Sequence, residues 1–268
     1  MTENSLHRQL ADELWEADRT AKPVAALTDR HPDLTVEDAY AIQTLNIARR
    51  ITSGEKPIGR KVGLTSRPMQ ELLGVDEPDF GVLTDAMFVE DGDLIDLGRL
   101  VQPRVEAELA FVMDRDLAGP GVTTAGALAA IGGVLPAVEI VDSRVADWKI
   151  KLVDTVADNA SSGLLVLGGR MRKVHDLDLR LIGVVVSRHG EVLDSGAGAA
   201  ALGNPARCVA WLANKLGSLG ARLKAADIVL PGAVHKMVAV RSGDVFRADF
   251  AHLGAVTVRF SKEAEESQ

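Results

Sequence analysis

Residues 104–111 read Arg104-Val105-Glu106-Ala107-Glu108-Leu109-Ala110-Phe111. In a β-strand, alternate side chains face the same side, so Glu106 and Glu108 share one face and the larger apolar residues share the other. Two neighbouring carboxylates repel each other unless their face is solvated or a cation lies between them. Carboxylate oxygens suit hard cations such as Mg²⁺ or Mn²⁺. The stretch therefore predicts a strand, with either a solvated acidic face or a metal site.

A third carboxylate, Glu139, lies within residues 134–141, a run that is otherwise apolar and is predicted to be a buried strand. A buried carboxylate needs a partner, which can be a metal ion or a basic side chain. The spacing alone leaves both interpretations open.

Most of the chain after residue 56 alternates short β-like segments with glycine, proline and aspartate. Strands at this spacing, with few long helices between them, favour a mixed or antiparallel sheet closed into a roll. The fold class is therefore predicted as α+β, with an N-terminal helical region at residues 1–55 and a β-roll domain at 56–262, continuous with it. The predicted strands are Ile58–Leu64, Ala86–Val89, Val105–Met113, Val134–Val141, Leu164–Leu167, Leu181–Ser187, Ile228–Leu230, Val238–Val240 and Val256–Phe260.

Two helices have recognisable ends. Thr35 followed by Asp38 is typical of a helix start, because the threonine hydroxyl can accept a hydrogen bond from a free N–H group. Gly54 is a plausible stop for that helix. A second helix is predicted from Pro205 to Leu219, since proline favours the first turn and glycine follows at position 220.

Bulk properties exclude several classes of protein. The 268 residues carry a formal net charge of −8, which gives no electrostatic reason to expect nucleic acid or an anionic membrane as a partner. A single cysteine, Cys208, cannot form an intramolecular disulfide. No apolar run approaches the roughly 18 residues that a membrane span needs, and no secretory signal is visible, so a cytoplasmic protein is expected.

Three further segments carry reactive groups. Lys61 and Gly63 share one face of a predicted strand, so the lysine can project beside bare backbone and bind a carboxylate or move a proton. Pro78–Gly81 is predicted to be a turn that aims Asp79 into a cleft. Residues 158–163, rich in hydroxyl and amide groups, form a loop that can donate to a ligand. Each segment also has a purely structural interpretation: a surface lysine, a simple turn, and a loop that caps its own backbone.

Taken together, these segments resemble the 2-keto-4-pentenoate hydratase / 4-oxalocrotonate decarboxylase family, within the wider fumarylacetoacetate hydrolase superfamily. The resemblance runs from about Val36 to Phe260. The stretches that carry it are Lys61-Val62-Gly63-Leu64-Thr65-Ser66, Gln102-Pro103-Arg104-Val105-Glu106-Ala107-Glu108, Val141-Asp142-Ser143-Arg144, Val156-Ala157-Asp158-Asn159-Ala160-Ser161-Ser162 and Gly196–Pro205.

The resemblance implies a mixed β-roll core and a homo-oligomer, often a pentamer or a pair of pentamers. It also implies a small 2-hydroxy-dienoate or 2-keto acid substrate, Mg²⁺ or Mn²⁺ as cofactor, and association with another enzyme of the same pathway. The implied residues are Glu106, Glu108 and Glu139 for the metal, Lys61 and Asp79 for catalysis, and Leu64, Arg104, Ser161 and Ser162 for the substrate.

Within the family, hydratases tend to carry Pro-Asp-Phe/Tyr-Gly, which matches Pro78–Gly81, and decarboxylases tend to have an apolar residue in place of Asp79. The expected activity is therefore addition of water to 2-hydroxypenta-2,4-dienoate, or to 2-hydroxyhexa-2,4-dienoate, in meta-cleavage catabolism of aromatic or steroid rings. The nearest alternative is a 4-oxalocrotonate decarboxylase. A C–C bond hydrolase and a non-catalytic partner subunit are more distant alternatives. Which of Lys61 and Asp79 is the acid and which the base stays open.

Overall fold

Helices occupy the N-terminal fifth of the chain and then recur singly between strands. The computed structural model describes residues 3–262, apart from the side chains of residues 3, 72 and 73. The α-helices are α1 (Glu3–Thr20), α2 (Leu27–Arg30), α3 (Val36–Thr52), α4 (Arg67–Leu73), α5 (Thr124–Ala130), α6 (Leu152–Ala157) and α7 (Pro205–Ser218).

Thirteen strands in the described residues form two sheets. The larger has the order β2-β1-β10-β5-β6-β7-β3, with β11 also paired to β5, and the smaller has the order β4-β13-β12-β8-β9. Both sheets mix parallel and antiparallel pairs. The strands are β1 (Pro57–Gly63), β2 (Asp79–Thr84), β3 (Phe88–Val89), β4 (Leu94–Ile95), β5 (Arg104–Met113), β6 (Ile131–Val141), β7 (Ser162–Leu167), β8 (Gly183–Arg188), β9 (Glu191–Ala197), β10 (Ile228–Leu230), β11 (Val238–Ala239), β12 (Val245–Phe250) and β13 (Gly254–Phe260).

The larger sheet curls into a half-barrel, so that β2 at one end also contacts β7 near the other. The apolar face of β5 packs in the main core with the smaller sheet and α7. The opposite face lines the concave side, where Ala110, Ala137 and Leu165 belong to a second apolar cluster. The predicted α+β class with a mixed β-roll is confirmed.

The predicted helix ends are confirmed. Thr35 and Asp38 form a capping box, in which each side chain accepts a hydrogen bond from the backbone N–H of the other residue. Asn204 caps α7, Pro205 opens it, and Gly220 follows it with a positive φ of 72°. Helix α3 packs against α1 and α6. Helix α6 leads directly into the polar loop at residues 158–163, called the hydroxyl loop below, so the N-terminal helices are packed next to that loop.

The sequence prediction was wrong at several short elements. Residues 85–87 form a 3₁₀ turn, so only the second half of the predicted strand at 86–89 is extended. Strands β2, β4, β9 and β12 and the short helices α4, α5 and α6 were not predicted. Within residues 3–262, no helix combines the length and the apolar character needed to cross a membrane.

Candidate active site

Three carboxylates meet on the concave side of the half-barrel. Glu106 lies directly opposite Glu139 in the β5–β6 ladder, and Glu108 lies two residues further along the same face of β5. One carboxylate oxygen from each of the three lies within 4.8 Å of the others. Glu108 and Glu139 are buried and Glu106 is half-buried. The strand alternation expected for residues 104–111 thus brings Glu106 and Glu108 together, and the pairing of β5 with β6 adds Glu139.

The cluster has the properties of a cation site. Both carboxylate oxygens of Glu139 are buried, and within the described residues neither accepts a well-aligned hydrogen bond. Glu108 accepts one from the backbone N–H of Gly232 at 2.8 Å. Burial raises the pKa of Glu106 to about 7 and also raises the pKa values of Glu108 and Glu139. Burial and mutual repulsion disfavour all three carboxylates as anions. Such a cluster fits a hard divalent cation such as Mg²⁺ or Mn²⁺.

Lys61 projects from β1 into the same concave side and is buried. Its Nζ lies 3.1 Å from Oε1 of Glu139 and donates a hydrogen bond to the carbonyl oxygen of Ala160 at 3.0 Å. Burial alone would lower the pKa of Lys61, but the charges of Glu139 and its neighbours outweigh it, and the pKa lies above its usual value. The lysine is therefore held as a cation beside the carboxylates.

Asp79 is the first residue of β2 and pairs with Gly63 of β1, so the predicted turn at residues 78–81 is wrong. Its carboxyl group is buried, and burial raises its pKa to about 6 although Lys61 opposes the shift. A Cβ atom added to Gly63 would lie 2.2 Å from Oδ1 of Asp79. The missing side chain of Gly63 thus makes room for Asp79, rather than for Lys61 as the sequence suggested.

The hydroxyl loop lies beside Lys61, where Ser161 and Ser162 are both buried. The hydroxyl group of Ser161 lies 3.2 Å from that of Thr155. Leu64 follows Lys61 at the end of β1 with a positive φ of 55°, and its carbonyl accepts a hydrogen bond from Gln70.

Arg104 lies two residues before Glu106 on β5, so both side chains lie on the same face of the strand. Its guanidinium group stacks on the ring of Trp148, with Cζ 4.4 Å from the ring centroid. Both residues line a cavity of about 510 Å³ that also contains Arg241. The arginine thus adds positive charge two residues from Glu106.

Two buried residues near the site were missed. The guanidinium group of Arg144 forms an ion pair with the carboxylate of Asp158 and donates hydrogen bonds to the carbonyl oxygens of Asp158 and Ser162. Arg144 belongs to one of the stretches that carry the family resemblance, residues 141–144, but no role was predicted for it from the sequence. The buried imidazole of His235 accepts a hydrogen bond from the backbone N–H of Ala107 at 2.7 Å. No pattern in the sequence pointed to His235.

Comparison with known proteins shows which family the chain belongs to. Residues 51–261 match the family described as fumarylacetoacetate (FAA) hydrolase, C-terminal. The chain is 50% identical over 252 residues to a 2-keto-4-pentenoate hydratase of Paraburkholderia xenovorans (strain LB400), covering 94% of each chain. It is 47% identical to a 2-hydroxyhexa-2,4-dienoate hydratase of Comamonas testosteroni, covering 93% of this chain and 95% of that one.

A solved structure is also similar. A 4-oxalocrotonate decarboxylase from Pseudomonas putida G7, complexed with magnesium and adipate, superimposes with a TM-score of 0.94 at 37% identity, over 97% of this chain and 98% of that chain. The protein belongs to the fumarylacetoacetate hydrolase family, in the branch of the 2-keto-4-pentenoate hydratases.

Proposed function

We propose that this protein is a divalent-metal-dependent hydro-lyase. It adds water to 2-hydroxypenta-2,4-dienoate, or to a close homologue such as 2-hydroxyhexa-2,4-dienoate, and forms a 4-hydroxy-2-oxo acid in meta-cleavage catabolism. The observation that carries the proposal is the placement of two ionisable groups, Lys61 and Asp79, on the concave side that holds the three carboxylates. The names of the relatives at 50% and 47% identity support the reaction class.

Glu106, Glu108 and Glu139 would hold Mg²⁺ or Mn²⁺. When bound, such an ion supplies Lewis-acid polarisation of a carbonyl or enol oxygen and a local positive field for an acidic substrate. A protein with a net charge of −8 otherwise offers little attraction to an anion. Arg104 adds a second positive charge on the same strand face, and Leu64, Ser161 and Ser162 complete the proposed substrate contacts.

The pKa values of Lys61 and Asp79 indicate which of the two is protonated at neutral pH. The carboxylates around Lys61 raise its pKa, so it stays protonated and can donate a hydrogen bond as a cation. Asp79, with a pKa near 6, is mostly ionised at neutral pH and can accept a proton. We therefore assign Asp79 as the base and Lys61 as the cationic donor.

A 4-oxalocrotonate decarboxylase is the second candidate, because the decarboxylase of Pseudomonas putida G7 shares the fold closely. Loss of CO₂ needs chiefly an electron sink, whereas hydration also needs proton delivery and an activated water molecule. The carboxylate of Asp79 serves the second task and would repel a departing carboxylate. Asp79 therefore favours the hydratase.

Parallel product analysis tests the proposal. The purified protein is incubated with 2-hydroxypenta-2,4-dienoate and with 4-oxalocrotonate, each with Mg²⁺, with Mn²⁺ and with EDTA. We expect 4-hydroxy-2-oxopentanoate from the dienoate, only when metal is present. Release of CO₂ from oxalocrotonate without hydration of the dienoate would establish the decarboxylase instead.

We also propose that the protein forms a homo-oligomer, as a pentamer or decamer, and associates with another enzyme of its pathway. Support comes from exposed apolar side chains on β8 and β9 of the smaller sheet, at Val185, Val192 and Leu193. Light scattering coupled to size exclusion measures the assembly, and a monomer at micromolar concentration would contradict it.

A further inference from the structure

Three successive non-glycine residues of the hydroxyl loop adopt left-handed backbone conformations. The φ angles are 55° at Asn159, 53° at Ala160 and 51° at Ser161. This conformation is unfavourable for a residue that has a Cβ atom, and left-handed residues normally occur singly. A run of this kind persists only where the surrounding structure imposes it.

The side chain of Asn159 fixes the turn to strand β2. Its Oδ1 accepts a hydrogen bond from the backbone N–H of Val82 at 2.8 Å, and its Nδ2 donates to the carbonyl of Val82 at 2.9 Å. The neighbouring Gly81 allows this approach, because an added Cβ would lie 2.5 Å from the backbone oxygen of Asn159. We call this pair of hydrogen bonds the Asn159 clamp.

Arg144 fixes the two ends of the same turn. Its guanidinium group donates to the carbonyl of Asp158 at 2.7 Å and to that of Ser162 at 2.9 Å. The arginine is buried and also pairs with the carboxylate of Asp158. Asn159 thus fixes the turn to β2, and Arg144 fixes the residues on either side of it. In the turn held this way, the carbonyl of Ala160 faces Lys61.

The turn delivers one backbone oxygen to the site: the carbonyl of Ala160 accepts a hydrogen bond from Nζ of Lys61 at 3.0 Å. Lys61 lies opposite Gly81 in the β1–β2 ladder, next to the residue that the Asn159 clamp holds. The same strand pair therefore carries the lysine and anchors the turn that orients its amine. A flexible four-carbon side chain needs such an anchor, since its amine can otherwise occupy many positions.

We propose that Asn159 is a positioning residue for Lys61: its clamp on Val82 forces the left-handed turn that presents the Ala160 carbonyl to the amine. The inference rests on the proposed function, in which Lys61 takes part in hydration. It predicts that loss of the clamp lowers kcat while leaving substrate binding nearly unchanged.

The test variant is Asn159→Gly, which removes both hydrogen bonds but tolerates a positive φ. The chain offers a matched control in Asn214, whose side chain makes the same two hydrogen bonds with the backbone of Val122, on helix α7 and away from the site. Asn214→Ala removes that pair without helix strain. Both proteins are assayed with saturating Mg²⁺ for kcat and KM on 2-hydroxypenta-2,4-dienoate, and their melting temperatures are compared.

We expect Asn159→Gly to lower kcat roughly 10- to 100-fold with KM within about two-fold, because small misplacements of a reacting group cost this much. Asn214→Ala should lower the melting temperature with little change in kcat. A second variant, Asn159→Asp, keeps the bond from Val82 N–H and should show an intermediate kcat.

Wild-type kcat in Asn159→Gly would overturn the proposal, as would an equal fall in kcat in Asn214→Ala. Failure of both Asn159 variants to fold would show that the clamp serves the fold alone, which also overturns it. A wild-type protein that does not hydrate the dienoate would refute the proposed function instead, so the two failures are distinguishable.

Discussion

Asp79 illustrates how one residue depends on the absence of another side chain. Its carboxyl group is buried over Gly63, within a site whose charges are otherwise dominated by three glutamates. The sequence could identify Asp79 as a candidate only through the family pattern, since an aspartate after proline equally suits a turn. Its strand position follows from pairing with β1, which no local pattern indicates.

Asp79→Asn should lose most of the hydration activity. The amide keeps the size of the carboxyl group but cannot accept a proton, so kcat should fall by roughly 10²–10⁴-fold. Because Asp79 is not among the three clustered glutamates, Mn²⁺ affinity measured by titration calorimetry should stay close to that of the wild type. Full activity in this variant would remove Asp79 from the mechanism.

Gly63→Ala should reduce activity by displacing Asp79. The new Cβ would lie 2.2 Å from Oδ1, and the backbone of Gly63 does not have a positive φ, so the effect is steric. Overpacking of this kind costs about 1–3 kcal/mol. Gly169→Ala is the control, because a Cβ there meets nothing within 4 Å. The measurements are kcat and urea unfolding of both variants. Unchanged kcat in Gly63→Ala would contradict the close fit.

Lys61→Met should keep the fold and lower turnover by roughly 10²–10⁴-fold if the lysine transfers a proton. The methionine side chain is of similar length but carries no charge. An unchanged kcat with a raised KM would assign Lys61 a purely electrostatic role in binding. Steady-state kinetics with the dienoate separates the two outcomes.

At the scale of elements, long strands with one apolar face were predicted and short or exposed ones were not. Strands β5 and β6 were located from period-2 alternation and from a continuous apolar run. No residue of strand β9 is buried, so the strand has no apolar core-facing side to reveal it. Helix α5 consists of threonine, alanine, glycine and leucine, and its length of 7 residues is too short for a helical period to show.

The central strand β5 changes partners along its length. It pairs with β10 at residues 111–112 and with β11 at residues 104–105. Between these pairings, the backbone N–H of Val234 donates to the carbonyl of Ala107, and Nε2 of His235 accepts a hydrogen bond from the backbone N–H of Ala107. The imidazole therefore replaces a sheet partner at the residue between two of the clustered glutamates.

His235→Leu should destabilise the protein, because it leaves the N–H group of Ala107 buried without this acceptor. The expected loss in the free energy of unfolding is about 1–3 kcal/mol. Equilibrium unfolding in urea, with EDTA present so that metal does not mask the effect, provides the measurement. His175→Leu is the control, since His175 is exposed and a change there should stay within about 0.5 kcal/mol. Equal stability of the two variants would contradict the role given to His235.

At the scale of the whole molecule, the curl of the larger sheet is what creates the site. Lys61 on β1 and Glu139 on β6 are three strand spacings apart, roughly 14 Å in a flat sheet. Their charged atoms nevertheless lie 3.1 Å apart. Strand alternation can predict which side chains share a face, but the strand order and the curl arise from tertiary pairing. The contact between Lys61 and Glu139 could therefore not be read from spacing.

The same curl concentrates negative charge, which has a consequence for stability. In the metal-free protein, burial raises the pKa of Glu106 from 4.5 to about 7 and that of Asp79 from 3.8 to about 6. Between about pH 4.5 and 7 the folded state therefore binds more protons than the unfolded state. Stability must then fall as pH rises through this window, since the native carboxyl groups favour protonation.

EDTA-treated protein should accordingly melt several degrees higher at pH 5.5 than at pH 8.0. Mn²⁺ should raise the melting temperature more at pH 8.0, because metal and protons compete for the same carboxylates. Glu106→Gln removes one of the shifted groups without changing its size, so it should flatten the pH dependence of the metal-free protein. Differential scanning fluorimetry across this range makes the comparison. A metal-free protein more stable at pH 8.0, or a Glu106→Gln variant with an undiminished pH dependence, would show that the carboxylates are not mutually strained in the folded state.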